Sequence, residues 1–236
     1  MNVFAISDLH LSAAVDKPMD VFGGNWFDYW NVIKSNWRTL VKDEDVVLIA
    51  GDISWAMTLD EAIPDLMDIA SLPGKKIIIK GNHDYWWSSV SKIRGILPEE
   101  ITVLQNDAVK VGRYVIFGSR GWACPDKAFT EEDEKIYRRE AGRLALSLDA
   151  ARRLQTEGDE LIAMMHFPPF NVRREDSEYT RLFESEGIHT VVYGHLHGKQ
   201  CRADKKYVKN GVTYLLTSCD QINNMPVKVA GDNIDK

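Results

Sequence analysis

The chain has 236 residues, 44% of them hydrophobic and 27% charged, which is ordinary for a globular protein and enough for one large α/β domain. Formal net charge is −6 with acids and bases interspersed, so a long nucleic acid is disfavoured as a partner, and no window nears the ~20 apolar residues of a membrane span. Cys124, Cys201 and Cys219 are odd in number and lack CxxC spacing, so buried thiols in a reduced, cytoplasmic setting are expected. No repeat, low-complexity stretch or long linker interrupts the chain, and residues 1–236 read as a single domain.

The first apolar run, Val3–Ser7, leads directly into Asp8 and His10 and reads as a strand rather than a signal peptide. Leu11 to Asn25, with Pro18, reads as a surface loop, with a lid as the alternative. Trp30, Ile33, Trp37 and Leu40 recur at helical spacing. Asp45–Ala50 and Lys76–Lys80 are near-continuous apolar strands of the kind buried on both faces. Between them, Thr58 and Glu61 form a capping box opening a helix through about Ala70. Tyr114–Gly118 and Glu160–His166 are further strands. The longest helix, Glu131–Glu157, is expected between them, with Thr130 capping its start and Gly158 at C′. His189–Tyr193 is a strand, and Tyr207–Lys209, Asn210-Gly211 and Val212–Thr217 form a hairpin with a type I′ turn. Alternating β and α elements predict an α/β layered sandwich.

Five of the six histidines fall in short motifs: Asp8-Leu9-His10, Gly51-Asp52, Gly81-Asn82-His83-Asp84, His166 and Gly194-His195-Leu196-His197. Each apolar strand delivers Asp, Asn or His from the loop at its C-terminal end, where ligand crevices of open α/β sheets lie. Three oxygen donors and four imidazoles suit two divalent first-row ions, Mn, Fe, Zn or Co, better than Mg²⁺ or Ca²⁺. With no thiolate in any motif, a structural zinc site is disfavoured. Seven ligands exceed one tetrahedral zinc but match two ions sharing a bridging carboxylate.

Running in this order from residue 8 to 197, the motifs resemble the signature of the calcineurin-like metallophosphoesterases. The resemblance implies a four-layer αββα sandwich of two mixed sheets flanked by helices, with the metal site at strand C-terminal ends. It implies that Asp8, His10 and His197 bind one metal, that Asn82, His166 and His195 bind the other, and that Asp52 bridges them. His83 is then no ligand but the group that contacts substrate and protonates the leaving alkoxide. The expected activity is hydrolysis of a phosphomonoester or phosphodiester of a small soluble substrate by metal-bound hydroxide, without a covalent phosphoenzyme. A non-catalytic metal-binding scaffold and a protein Ser/Thr phosphatase are the alternatives.

The chain departs from the phosphatase relatives at Trp55 and Ala56, where those carry an Asp that orients the catalytic His, and then an Arg. The orienting group for His83 is left open between a backbone carbonyl and a water, while Asp84 is expected to support the loop. Trp26, Tyr85, Trp86 and Trp87 divide between core packing and a substrate-facing rim. Arg173 and Arg174 divide between a solvated pair balancing Glu175 and Asp176, which is favoured, and a phosphate clamp.

Overall fold

The strand register brings the motif loops to one edge. In the structure, a computed structural model describing residues 1–231, β1 (Val3–Ile6) precedes α1 (Tyr29–Leu40) and β2 (Val46–Ile49). There follow α2 (Leu59–Ala70), β3 (Lys75–Ile78), α3 (Val90–Arg94) and β4 (Ile101–Val103). The second half contains β5 (Ala108–Val111), β6 (Tyr114–Ser119), α4 (Glu131–Leu154), β7 (Glu160–Met165), α5 (Glu178–Ser185) and β8 (Thr190–Tyr193). β9 (Lys206–Lys209), β10 (Val212–Leu216) and β11 (Val227–Ala230) complete the described strands. One sheet has the order β11-β1-β2-β3-β4 and the other β5-β6-β7-β8-β10-β9. Both are mixed: β11, β5 and β9 pair antiparallel and the remaining neighbours parallel.

Ile6, Ile49 and Ile78 stand side by side in the parallel register, so the loops beginning at Ser7, Ala50 and Ile79 leave from one place. The second sheet joins this edge through Ser7, whose N–H donates to the Thr217 carbonyl at 2.8 Å and whose carbonyl accepts from Cys219 at 3.0 Å.

Alternation along the strands produces four layers. Phe4, Ile6, Val47, Ile49 and Ile78 face α1 and α2, meeting Ile33, Trp37 and Leu66. Val115, Phe117, Ala163 and Met165 face α4 and α5, against Leu144, Leu148 and Phe183. The intervening residues, including Val3, Ala5, Leu48, Ile77, Ile116 and Met164, form the apolar layer between the sheets. Both sheets are thus covered on both faces, as their continuous apolar strands require. The αββα sandwich is the observed fold.

The strand ends differ from the sequence reading by a residue or two, with Ser7, Ala50, Lys80, His166 and His189 outside the strands. α4 ends at Leu154 rather than Glu157, and Gln155 is its extended C-cap. The Asp159 carboxylate captures the Thr156 N–H at 2.6 Å and the Lys110 ammonium at 2.6 Å, closing a turn that competes with another helical turn. Gly158 (φ 84°) lies in that turn and not at C′. In α1, Ile33 and Trp37 are buried, but Leu40 is 37% exposed and leaves the apolar stripe. The capping boxes of Thr58 with Glu61 and Thr130 with Asp133 are both formed. Asn210 (φ 50°) and Gly211 (φ 82°) adopt the expected I′ turn. Among the described residues no helix is long and apolar enough to cross a membrane.

Candidate metal centre

The loops leave their strands abruptly. Asp8, His10, Asp52 and His195 all have positive φ, at 56°, 47°, 52° and 69°. Left-handed backbone costs a non-glycine residue about 1–2 kcal/mol, so each is held by its surroundings. Two glycines allow the loops to close up: a Cβ on Gly81 would overlap Asp52, and one on Gly194 would overlap Ser7 and Asp8.

Asp8, His10 and His197 form one group and Asp8, Asp52 and His166 a second, with the ligand atoms of each within 4.8 Å of one another. Asp8 is fully buried, and both its oxygens accept from the His195 N–H, at 3.1 and 3.0 Å. Burial raises its pKa above the usual carboxylate value. Asp52 Oδ1 accepts from the His83 N–H at 2.7 Å, while Oδ2 points between His10 Nε2 at 3.8 Å and His166 Nε2 at 3.4 Å. Although burial opposes it, the His166 and His10 rings hold the Asp52 carboxyl well below its usual range.

Asn82 Oδ1 lies 2.7 Å from His166 Nε2 and 2.9 Å from His195 Nδ1, joining those rings at the second group. His166 Nδ1 is 2.9 Å from the Ala50 carbonyl, which fixes that nitrogen as donor and turns Nε2 inward. Burial alone lowers the His166 pKa, but Asp52 and Asp8 raise it to about 9. Burial dominates at His10 and His195 and lowers each to about 3.

The donor set suits cations. Asp52 Oδ2 and His10 Nδ1 are buried without a hydrogen-bond partner. The Nε2 atoms of His10 and His197 converge to 3.4 Å, where two neutral rings present either facing lone pairs or one shared proton. Two carboxylates buried this deeply need positive charge nearby, and nitrogen and oxygen donors without thiolate match first-row divalent ions.

His83 stands apart from both groups and is half-buried. Its ring centroid is 4.7 Å from that of Trp55, which also stacks on His10 at 4.6 Å and 19°. Tyr85 Oη lies 3.5 Å from His83 Nδ1. Burial lowers the His83 pKa. Trp55, Tyr85 and His10 are the ring side chains around His83. The only sequence signal is the tryptophan itself, in the place of an acid. Asp84 supports the loop instead, its carboxylate accepting from the N–H groups of Gly81 (2.7 Å), Asp52 (2.9 Å), Ile53 (2.8 Å) and Ser54 (3.2 Å) and from Trp86 Nε1 (3.0 Å).

Residues 1–199 match the family model of the calcineurin-like phosphoesterases. The chain belongs to this family. Solved structures share the fold of this calcineurin-like chain. A phosphopantetheinyl hydrolase from Mycobacterium tuberculosis is 16% identical, with 98% of this chain and 96% of that one covered and a TM-score of 0.59. The protein TT1561 of Thermus thermophilus is 12% identical over 96% of each chain, with a TM-score of 0.61. At such identities the likeness is one of fold. No curated protein matches the sequence.

The remaining candidate residues of this calcineurin-like chain divide clearly. Trp26 is buried with its ring 5.8 Å from that of His197, while Tyr85 is 52% exposed beside His83. Trp86 and Trp87 turn into the core, Trp87 Nε1 donating to Gln105 at 3.0 Å, and neither lines a rim. Arg173 pairs with Glu175 on the surface at 2.8 Å, the solvated pairing that the sequence favours. Arg174 pairs with Asp204 and lies 4.3 Å over the Tyr207 ring. His189 is bonded to the Gly211 carbonyl at 3.2 Å, away from the centre. The loop after Leu11 rests on Trp55: Lys17 Nζ lies 4.8 Å over its ring, and its indole N–H donates to Met19 Sδ at 3.4 Å.

Proposed function

We propose that this protein is a dinuclear-metal phosphoesterase that hydrolyses a small, soluble phosphate ester. The observation that carries the reading is the convergence of two donor groups on Asp8, all buried except the half-buried His197, with the unpartnered Asp52 Oδ2 between them and the half-buried His83 alongside. In this reading Asp8, His10 and His197 hold one ion, Asn82, His166 and His195 hold the other, and Asp52 bridges. The ions are Mn, Fe, Zn or Co. When bound, two such cations acidify a water and offset the charge developing on phosphorus.

The chain's own residues supply orientation and a proton. With Tyr85 Oη beside Nδ1, the His83 ring presents Nε2 as the atom that carries a proton to the departing oxygen. Trp55 limits the tilt of that ring and shields it from water on one face. The serine and cysteine in contact with Asp8 are both engaged and so are poor covalent nucleophiles: Ser7 Oγ donates to the Asp8 carboxylate at 2.6 Å, and the Cys219 thiol donates to the Asp8 carbonyl at 3.1 Å. Burial pushes that thiol's pKa well above normal, so it stays protonated.

The deciding experiment combines metal analysis with turnover of p-nitrophenyl phosphate and bis(p-nitrophenyl) phosphate after loading with Mn²⁺, Fe²⁺, Zn²⁺ or Co²⁺. Two ions per chain and chelator-sensitive hydrolysis are expected. A loaded protein inert towards both esters and a broad phosphate-ester panel would end the enzyme reading.

A further inference from the structure

The geometry points to a phosphodiester as the substrate, one whose retained substituent carries a flat, largely apolar ring seated in a cavity beside His195. This rests on the phosphoesterase reading above and specifies its substrate class. The cavity measures about 570 Å³ and reaches from His195 and His197 to the loop before β9. Its walls include Phe167, Phe170, Tyr193, Leu196 and Tyr207. The Phe167 ring lies 4.1 Å from that of His195, so cavity wall and candidate ligand are in contact. A space of this size falls in the range of small-molecule sites, and aromatic walls favour a flat ring through dispersion and offset stacking. Arg174 and Arg202 stand in the lining with Asp126 and Asp204, Arg174 being paired with Asp204, so the charges balance and the aromatic walls set the cavity's character. Arg174 is held over Tyr207 and Arg202 by the carbonyls of Lys199 and Cys201, at 3.0 Å.

The proton donor is elsewhere. His83 is bounded by Trp55, Tyr85 and His10, and none of His83, Trp55 and Tyr85 lines the cavity. A departing oxygen must come within about 3 Å of the histidine that protonates it, so the departing group belongs on the Trp55–Tyr85 flank. A monoester has one organic substituent, and that one departs; its other oxygens are far too small for the cavity. A diester occupies both places. Water forms the new P–O bond and loses a proton to solvent. The P–O bond to the departing alcohol breaks with its electron pair on that oxygen, and His83 supplies the proton. The products are an alcohol and a ring-bearing phosphomonoester, the latter still in the cavity.

The test holds the leaving group at p-nitrophenolate and varies the retained group, comparing methyl, phenyl and naphthyl p-nitrophenyl phosphates with p-nitrophenyl phosphate on the Mn²⁺-loaded full chain. We expect kcat/KM to rise about tenfold or more from methyl to phenyl, with the monoester below both aryl diesters. Ala203→Trp and, separately, Ala123→Trp narrow the cavity from two loops. Ala203 is half-buried against the core beneath it, whereas Ala123 is exposed, so the Ala123 variant keeps the test valid should the other fail to fold. Either should cut the phenyl-to-methyl ratio about tenfold. A second arm needs no turnover: calorimetric titration with phenylphosphonate and methylphosphonate, where the preference for phenyl should disappear in both variants. A ratio indifferent to the retained group, or to both tryptophans, overturns the cavity assignment and leaves hydrolysis standing. Variants that respond to leaving-group size instead place the departing group in the cavity and overturn the diester assignment. If no ester is turned over, the phosphoesterase reading falls, and the phosphonate arm still decides the cavity.

Discussion

The two sides of the centre are built on different principles. On the first-sheet side, Asp8 and His10 are fully buried, Asp52 is 1% exposed, and the carboxylates are fixed by backbone N–H groups. On the second-sheet side His166 is fully buried as well, but His195 and His197 are half-buried and lie against the rings of Phe167 and Trp26, with the cavity beside them. Burying a carboxylate costs several kcal/mol unless donors or cations surround it, so the first side leaves little freedom in what it holds. A half-open aromatic wall carries no such penalty and can vary with the ligand.

The sharpest way to break this contrast is Asp52→Asn. Because Asp52 Oδ2 points between both donor groups, occupancy should fall at both positions, by about 10²-fold or more in affinity; loss of only one ion in elemental analysis would refute the bridging role. His83→Ala should lower turnover about 10²–10⁴-fold while both ions remain bound, and metal loss alongside it would show the ring to be a ligand. Asp84→Asn exchanges an acceptor of five N–H bonds for an amide with donors of its own. We expect a cost of about 2–4 kcal/mol in thermal or denaturant unfolding; an unchanged midpoint would show the loops to be held otherwise.

The pH response sharpens the electrostatic half of the contrast. His166, raised to about 9 by Asp52 and Asp8 against the effect of burial, keeps its proton at neutral pH in the metal-free protein. Its contribution to stability is fully present below its unfolded pKa of about 6.5 and is lost as pH rises through about 9. Metal needs the neutral ring, so affinity should climb across that window, with close to one proton released at pH 7 from this group. His10 and His195, lowered to about 3, add none. Calorimetry in buffers of differing ionisation enthalpy reads the proton count, and zero at pH 7 would contradict the assignment. The smallest effect belongs to Arg173→Ala. Its pair with Glu175 is solvent-exposed and contributes little, and turnover should hardly change; a large rise in KM would restore the phosphate-clamp alternative.

Local signals made much of this legible. Each candidate ligand follows an apolar strand by one to four residues, and the in-step pairing of Ile6, Ile49 and Ile78 converts that sequence proximity into spatial convergence. What was not legible depends on partners distant in the chain. Trp55 meets His83 only because the loops after β2 and β3 fold together, and beyond a tryptophan standing in the place of an acid nothing near residue 55 announces it. Trp86 and Trp87 sit beside the motif yet point inward, one towards Asp84 and the other towards Gln105. β5 and β11 are edge strands with only partial burial, so their apolar alternation is weak. The end of α4 escapes a local reading because a long-range pairing, Lys110 with Asp159, stabilises the turn that replaces its last residues.

The Asp84 carboxylate gathers N–H groups from residue 81 and from residues 52 to 54 onto two oxygens. Mechanically it acts as a rivet: the spacing between Asp52 and Asn82 is set by the width of one carboxylate, not by the twist or breathing of the sheet beneath. Thermal motion can then carry the two loops together without stretching the gap between their donors.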